Sequence, residues 1–339
     1  MTRTSGSISG GTGAGKHRSG AALKSLSGLL NAVSDEFKTQ REPETVNVAL
    51  YYDKSCSRAL RAYAQETFSS AGQTAFMHIE EYDDACCEVD GAADLTIIFA
   101  ADSPWTGATA TISKEKGVPT VVVTEDLAGV FDRAEQSGYA LAAEDFVSFE
   151  LAENEASFTA RLWNALADDP YRIDQPTGYD LLFETLGRWI VVHARASRFS
   201  LAAAFPFMRK AVALDTAKSC SYQNAAIALA LFVPGADMPL MMANQARMVI
   251  QIGTAYGYHM SAEVAAELAV VVAGSFGARA LARALAKAAP ALGLASKAGV
   301  AFAGTYAMGY GAMCYCRDGK KVEVIEQARE ALDRLTVRG

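Results

Sequence analysis

The sequence has little histidine, no paired zinc-ligand spacing and no excess of basic residues. Lys and Arg number 31 against 38 Asp and Glu, which gives a formal net charge of −7 over 339 residues. Because general nucleic-acid binding depends on basic residues that displace counterions from phosphates, this balance argues against a nucleic-acid partner. The four histidines and six cysteines are scattered, and Cys86 and Cys87 are adjacent rather than spaced as CxxC. We expect free thiols, no metal and no cofactor.

A complete catalytic motif is also lacking. Residues 10–17 read GGTGAGKH and approach the phosphate-binding pattern GxxxxGK[ST]. However, His17 stands where that loop needs a hydroxyl for Mg²⁺, and no hydrophobic strand precedes the glycines. The first apolar stretch is interrupted by Lys24, so no secretory signal is predicted. We therefore expect a protein that is not an enzyme.

The first 43 residues form a segment of their own. Residues 1–20 are rich in Ser and Gly, and the first four charges are all positive. Apolar residues at helical spacing predict an amphipathic helix over 21–38. We interpret 1–43 as a flexible basic tail and an amphipathic helix, which either lies on an anionic membrane surface or caps the next domain.

Residues 44–168 alternate between β-branched runs and helical patterns. The predicted strands are 46–52, 74–79, 94–100, 119–124 and one within 139–149. Continuous apolar runs separated by helices indicate a parallel sheet that is covered on both faces. The predicted fold class is α/β plus all-α, with a doubly wound parallel five-stranded sheet in the N-terminal part and an Ala/Gly-rich helical bundle in the C-terminal part.

The loops after the predicted strands carry acidic residues instead of nucleotide-binding motifs. Residues 53–57 follow the first strand without a glycine, and Thr124-Glu125-Asp126 follows the fourth. The domain resembles a degenerate small GTPase in its strand pattern. The runs 94–99 and 118–124 also resemble the third and fourth strands of a receiver domain, with Ala100 at the phosphoacceptor position.

The remaining ligand candidates in this domain lie after the first and third strands. In an open α/β sheet, ligands bind beyond the carboxyl ends of the strands. Acidic oxygens and a lysine at that edge could hold Mg²⁺ or a nucleotide, and they could equally be helix caps or solvated charges. The candidates are Asp53, Lys54, Ser55 and Asp102.

Residues 177–318 are rich in Ala and Gly and show no strand pattern, and 319–339 are predicted to form a charged C-terminal helix. A polar helix face is predicted in the first of these segments. It is composed of Asn224, Asp237, Asn244, Arg247 and Gln251, of which Asp237, Asn244 and Gln251 are seven residues apart. Polar groups in apolar surroundings need partners or water. This face predicts an interhelical hydrogen-bond network or, alternatively, a ligand pathway.

Small residues recur every four positions at Gly299, Ala303, Ala307 and Gly311. That spacing is typical of membrane helices that approach closely. The uncharged run 298–316 is about long enough to cross a bilayer. We expect a transmembrane helix here, with a buried helix of a soluble bundle as the alternative.

The motifs at 222–224, 234–239, 244–248 and 299–309 together resemble one bacterial family over residues 200–316. It is the YcjF-like helical domain, domain-of-unknown-function family 697. The resemblance implies association with a GTPase and a membrane address, and it implies no reaction.

Three hypotheses follow for the function. The first is a non-enzymatic, membrane-associated scaffold or regulatory protein on the cytoplasmic side of the cell membrane, or else in the cytoplasm, whose α/β domain binds a GTPase or other protein. The second is a divergent nucleotide- or Mg²⁺-binding switch. The third is a soluble bundle that binds a small amphiphile. A homo-oligomer is compatible with all three.

Overall fold

The computed structural model describes residues 44–69, 74–154, 177–230, 238–258 and 295–318. Five strands form one parallel sheet in the order β2-β1-β3-β4-β5. The strands are β1 (Val46–Asp53), β2 (Ala75–Tyr82), β3 (Leu95–Ala100), β4 (Thr120–Thr124) and β5 (Phe146–Ser148). This is the strand order of the flavodoxin-like doubly wound sheet, whose switch point lies between β1 and β3.

The helices fall into two groups. Those of the α/β part are α1 (Arg58–Ser69), α2 (Thr106–Glu115), α3 (Leu127–Gln136) and α4 (Phe149–Asn154). The later ones are α5 (Gly178–His193), α6 (Arg198–Ala204), α7 (Arg209–Ala230), α8 (Met238–Ala255) and α9 (Ala295–Asp318). Short 3-10 turns cover Ala143–Asp145 and Pro206–Met208. The predicted α/β plus all-α fold class is confirmed.

The central strands are buried on both faces, which explains their continuous apolar runs. Alternate residues of each strand point to opposite faces. Leu50, Ile97 and Val121 belong to the core beneath α1, whereas Ile98 and Val122 belong to the core beneath α2 and α3. Helices therefore cover both faces of the sheet, as a doubly wound arrangement requires.

The core beneath α1 continues into the helical part. Phe68 of α1 and Phe99 of β3 lie within 6.4 Å, between ring centroids, of Phe183 on α5. Phe205 and Phe207 then contact Phe68 at 5.4 Å each. We call these five rings the aromatic cluster. It joins the two predicted domains, 44–168 and 177–318, through one hydrophobic core.

A second core lies among α7, α8 and α9. Its buried side chains are mostly small or sulfur-containing, including Ala217, Ala246 and Met248. Gly309 of α9 packs so closely that a Cβ built on it would lie 2.5 Å from the Cβ of Ala217. Small residues thus allow α9 to approach α7.

The expectation of a transmembrane helix is wrong for this part of the chain. Among the described residues, no helix is both long and apolar enough to cross a membrane. The predicted span 298–316 lies within α9, where Ala307, Ala312 and Cys316 are buried in the second core. The physical reason is composition, because a helix rich in Ala and Gly reaches a spanning length without the hydropathy of Leu and Ile.

Two helix boundaries follow from side chains beside them. Helix α6 ends at Ala204 and α7 begins at Arg209, because Pro206 disfavours helical geometry in Phe205, the residue before it. Helix α4 begins at Phe149, where Ser148 Oγ accepts a hydrogen bond from Leu151 N at 3.3 Å. The predictions for 1–43 and for 319–339 fall outside the described residues.

Candidate functional site

The strongest polar arrangement in the sheet is centred on Asp53, the last residue of β1. Its side chain is 1% exposed and accepts four hydrogen bonds. Oδ1 accepts from the backbone N and the Oγ of Ser55, at 2.9 and 2.6 Å. Oδ2 accepts from the N of Ala101 and of Ser103, at 3.0 and 2.8 Å. The carboxylate therefore bridges the carboxyl ends of β1 and β3.

The electrostatics of Asp53 follow from these donors. Burial by itself raises the pKa of the carboxyl, because it removes water from the charged form. The hydrogen bonds from Ser55, Ser103 and Ala101 act in the other direction and leave the pKa below its ordinary value. Asp53 is thus held as a carboxylate at neutral pH, with both oxygens occupied.

The other candidates at this edge have different environments. Ser55 Oγ accepts from the N of Asp102 at 2.9 Å, so the structure brings Asp53, Ser55 and Asp102 together. The side chain of Asp102 itself is 77% exposed and lies 3.5 Å from Arg133. Lys54 points elsewhere: its Nζ is 3.6 Å from Asp83 and its side chain is 53% exposed.

Two arginines complete the edge, and the sequence reading did not include them. Arg61 donates to the carbonyl of Asp53 at 2.7 Å, and Arg133 donates to the carbonyl of Ala101 at 2.6 Å. Arg133 also lies 3.6 Å from Asp126, which caps α3 by accepting from Gly129 N. Their charge could have indicated them in the sequence. Acidic residues at the carboxyl edge of the sheet are stabilised by nearby cations, and these two arginines lie on the helices that follow β1 and β4.

The chemistry available at this edge is therefore that of a structural bridge. A cation or phosphate would have to displace donors that already fill the Asp53 oxygens. Within the described ranges, no group of three or more His, Cys, Asp or Glu side chains could hold a metal ion.

The predicted polar helix face divides in the structure. Asn224 is buried on α7 and donates to Thr305 Oγ1 at 2.9 Å. Asn244 of α8 donates to Asn224 Oδ1 at 3.2 Å, and Gln245 donates to Thr305 Oγ1 at 3.2 Å. These four residues, the amide network, connect α7, α8 and α9.

The remaining members of that face are not part of the amide network. Arg247 is exposed and Gln251 is half-buried. Asp237 lies outside the described residues. Sequence reasoning missed Thr305 and Gln245, since a hydroxyl 81 positions from Asn224 has no local signal.

Three of the described thiols lie in environments that disfavour the reactive thiolate. Burial raises the pKa of Cys56, Cys87 and Cys220 to about 12 in each case. They are protonated at neutral pH, and a thiol in that state is a poor nucleophile and a poor metal ligand.

A cavity of about 330 Å³ opens at the opposite, amino-terminal edge of the sheet. Trp189 stacks on His193 with ring centroids 4.0 Å apart, and its Nε1 donates to the carbonyl of Glu144. Lys114 contacts both carboxylate oxygens of Asp145, at 2.7 and 2.8 Å. The charges that line this cavity are thus largely paired within the chain.

The outer strand β2 is the most exposed apolar feature of the sheet. Phe76 and Ile79 are 68% and 57% exposed. His78 lies 3.4 Å from Glu80, and Arg61 lies 2.7 Å from Glu81.

Comparison of the chain with protein-family models, with curated proteins and with solved structures finds no match. The resemblances to a YcjF-like helical domain and to a degenerate GTPase or receiver domain therefore stay predictions.

Proposed function

We propose that this chain is a non-enzymatic scaffold or regulatory protein whose α/β domain binds another protein. The observation that carries the proposal is the state of Asp53. Doubly wound sheets bind small ligands at the switch point, beyond the carboxyl ends of the strands. In this chain that position is filled by the four hydrogen bonds of Asp53. Because the usual position for a small ligand is filled, we expect recognition to use the outer surface of the domain, which another protein can contact.

The shared core supports a scaffolding role. The aromatic cluster packs α1 and β3 against α5 and the turn after α6. Asp94 also accepts a hydrogen bond from Ser197 at 3.3 Å, and Ser200 accepts one from the N of Glu44 at 3.0 Å. These contacts favour a platform in which the sheet and the helices hold a fixed relative position. The resemblance to a GTPase-associated family makes a GTPase the partner class we propose.

Isothermal titration calorimetry with MgGTP and MgATP separates this proposal from the nucleotide-switch hypothesis. We expect no binding by the wild-type chain. Micromolar binding that is lost in Lys54→Ala, and retained in the exposed-lysine control Lys218→Ala, would refute the proposal.

Chemical crosslinking in cells of the native host tests the binding role directly. We expect crosslinks between residues 44–154 and peptides of a different protein. Crosslinks restricted to the chain itself would count against a scaffold.

A further inference from the structure

The strand β2 is a long sheet edge whose acidic residues, Glu80 and Glu81, stand only at its carboxyl end. It pairs with β1 without interruption from Ala75 to Tyr82, so it contains no bulge. The strand has no lysine and no proline, and within the described residues no strand pairs with its outer side. Natural proteins normally keep edge strands short or protect them with charged side chains, prolines or bulges, because the free N–H and C=O groups of an edge attract another strand.

The apolar side chains of β2 also favour the addition of another strand at this edge. Phe76 pairs with Asn47 and Ile79 pairs with Leu50, which places them on opposite faces of the sheet. Both are more than half exposed. An added strand would supply neighbours for each of them, one on either face, as well as partners for the free backbone groups.

We infer that β2 pairs with β2 of a second copy of this chain, antiparallel about a twofold axis, so that two five-stranded sheets become one continuous sheet. This inference goes beyond the proposed function, because it concerns a second copy of the chain and does not depend on a different protein as partner. An isologous contact of this kind needs a self-complementary surface, and β2 has one.

Charge favours a second copy in the antiparallel direction. Glu80 and Glu81 lie at the carboxyl end of β2. In antiparallel registers centred on Met77, His78 or Ile79, Glu80 lies opposite Thr74, Phe76 or His78 of the other copy. A parallel in-register pair would instead place Glu80 against Glu80, which is destabilising.

The same charges make a foreign basic strand a poorer occupant. Glu80 already has His78 at 3.4 Å, and Glu81 already has Arg61 at 2.7 Å. A basic partner would compete with these internal pairs. Two copies of β2 leave them in place and add up to about eight backbone hydrogen bonds.

Light scattering coupled to size exclusion tests the inference on the full chain. The chain mass is 36.0 kDa, and we expect about twice that mass as concentration rises to about 0.2 mM, since strand pairing alone gives a small interface. Ile79→Lys is expected to raise the dimer dissociation constant at least about tenfold. Leu240→Lys, at a 55% exposed apolar position on α8, is the matched control and is expected to leave the constant unchanged.

Hydrogen exchange identifies the surface. In the wild type, amides of β2 are expected to exchange more slowly at high than at low protein concentration. In Ile79→Lys, their exchange rate is expected to be the same at both concentrations. Thermal melting of Ile79→Lys confirms that the variant is folded.

Three outcomes would overturn the inference. They are a monomer at every concentration, a dimer that Ile79→Lys and Phe76→Lys leave intact, and a monomer whose β2 amides are protected at all concentrations. The last result would assign the edge to the chain's own N-terminal residues. None of these outcomes contradicts the proposed binding of a different protein. Conversely, nucleotide binding measured by calorimetry would refute that proposed function without contradicting the dimer.

Discussion

The core beneath α1 is filled largely by Val, Ile, Leu and Phe side chains, whereas the core among α7, α8 and α9 is filled largely by Ala, Cys and Met. In the first, large side chains remove apolar area from water. In the second, small side chains let the helices approach, and the amide network links them. Stability therefore depends on side-chain volume in one region and on close contact with satisfied polar groups in the other.

The largest expected effect tests whether the α/β part and the helices after it share the core beneath α1. Phe183→Ala removes a ring from the aromatic cluster, and we expect it to lower the free energy of unfolding by about 3–5 kcal/mol. Hydrogen exchange should show amides of β3 and α7 destabilised together. Phe76→Ala, at a 68% exposed position and in dilute protein, is the control and should stay within about 0.5 kcal/mol. Destabilisation limited to α5–α7 would separate the regions again.

The second effect concerns the bridge at the switch point. Asp53→Asn keeps the shape of the side chain and replaces one acceptor oxygen with an NH₂ group that faces N–H donors. We expect a loss of about 2–3 kcal/mol in urea unfolding at neutral pH. Asp102→Asn, whose side chain is 77% exposed, is the control and should be near neutral.

The bridge also predicts a pH dependence. The pKa of Asp53 in the folded chain is lower than its ordinary value, so its stabilising effect is complete above the ordinary pKa of about 4. It is lost as pH falls from there through the lower folded pKa. The stability difference between wild type and Asp53→Asn should therefore shrink at acidic pH. A difference that is constant from neutral pH to about pH 2 would contradict this account.

The third effect tests close approach in the bundle. Gly309→Ala places a Cβ 2.5 Å from that of Ala217, and we expect a loss of about 1–3 kcal/mol through overpacking. Gly299 lies in the same helix with no atom within 4 Å of a Cβ built on it. Gly299→Ala should therefore be neutral, or stabilising by up to about 1 kcal/mol through helix propensity. Equal effects at both positions would remove the special role of Gly309.

The smallest effect concerns the amide network. Asn224→Ala leaves Asn244 and Thr305 with fewer partners, and we expect a loss of about 1–2 kcal/mol. The neighbouring Gln223 is exposed, so Gln223→Ala is the control. A neutral Asn224→Ala would favour the amphiphile-binding hypothesis, because water or a ligand would then be the ordinary partner of these amides.

The sequence by itself determined the alternation of strands and helices. Runs such as Val121–Val123 and Ile97–Phe99 are β-branched or aromatic, and the turns between them are readable from local chemistry. It also determined the placement of Asn224 and Asn244 on helices. Each of these is a property of residues that are close along the chain.

The tertiary structure decided the features that join distant residues. The four donors of Asp53 come from Ser55 and from backbone groups about fifty positions away, and no local pattern announces them. The repeat Gly299, Ala303, Ala307 and Gly311 suggested one contact face, yet Gly299 has no neighbour within 4 Å of an added Cβ, and a close approach occurs at Gly309, which the repeat does not include. The same holds for the predicted boundary near residue 170, since the aromatic cluster depends on where α5 packs and not on the residues between the two segments. These three features depend on burial and on contacts between residues far apart in the sequence, and the residues next to them along the chain do not determine either.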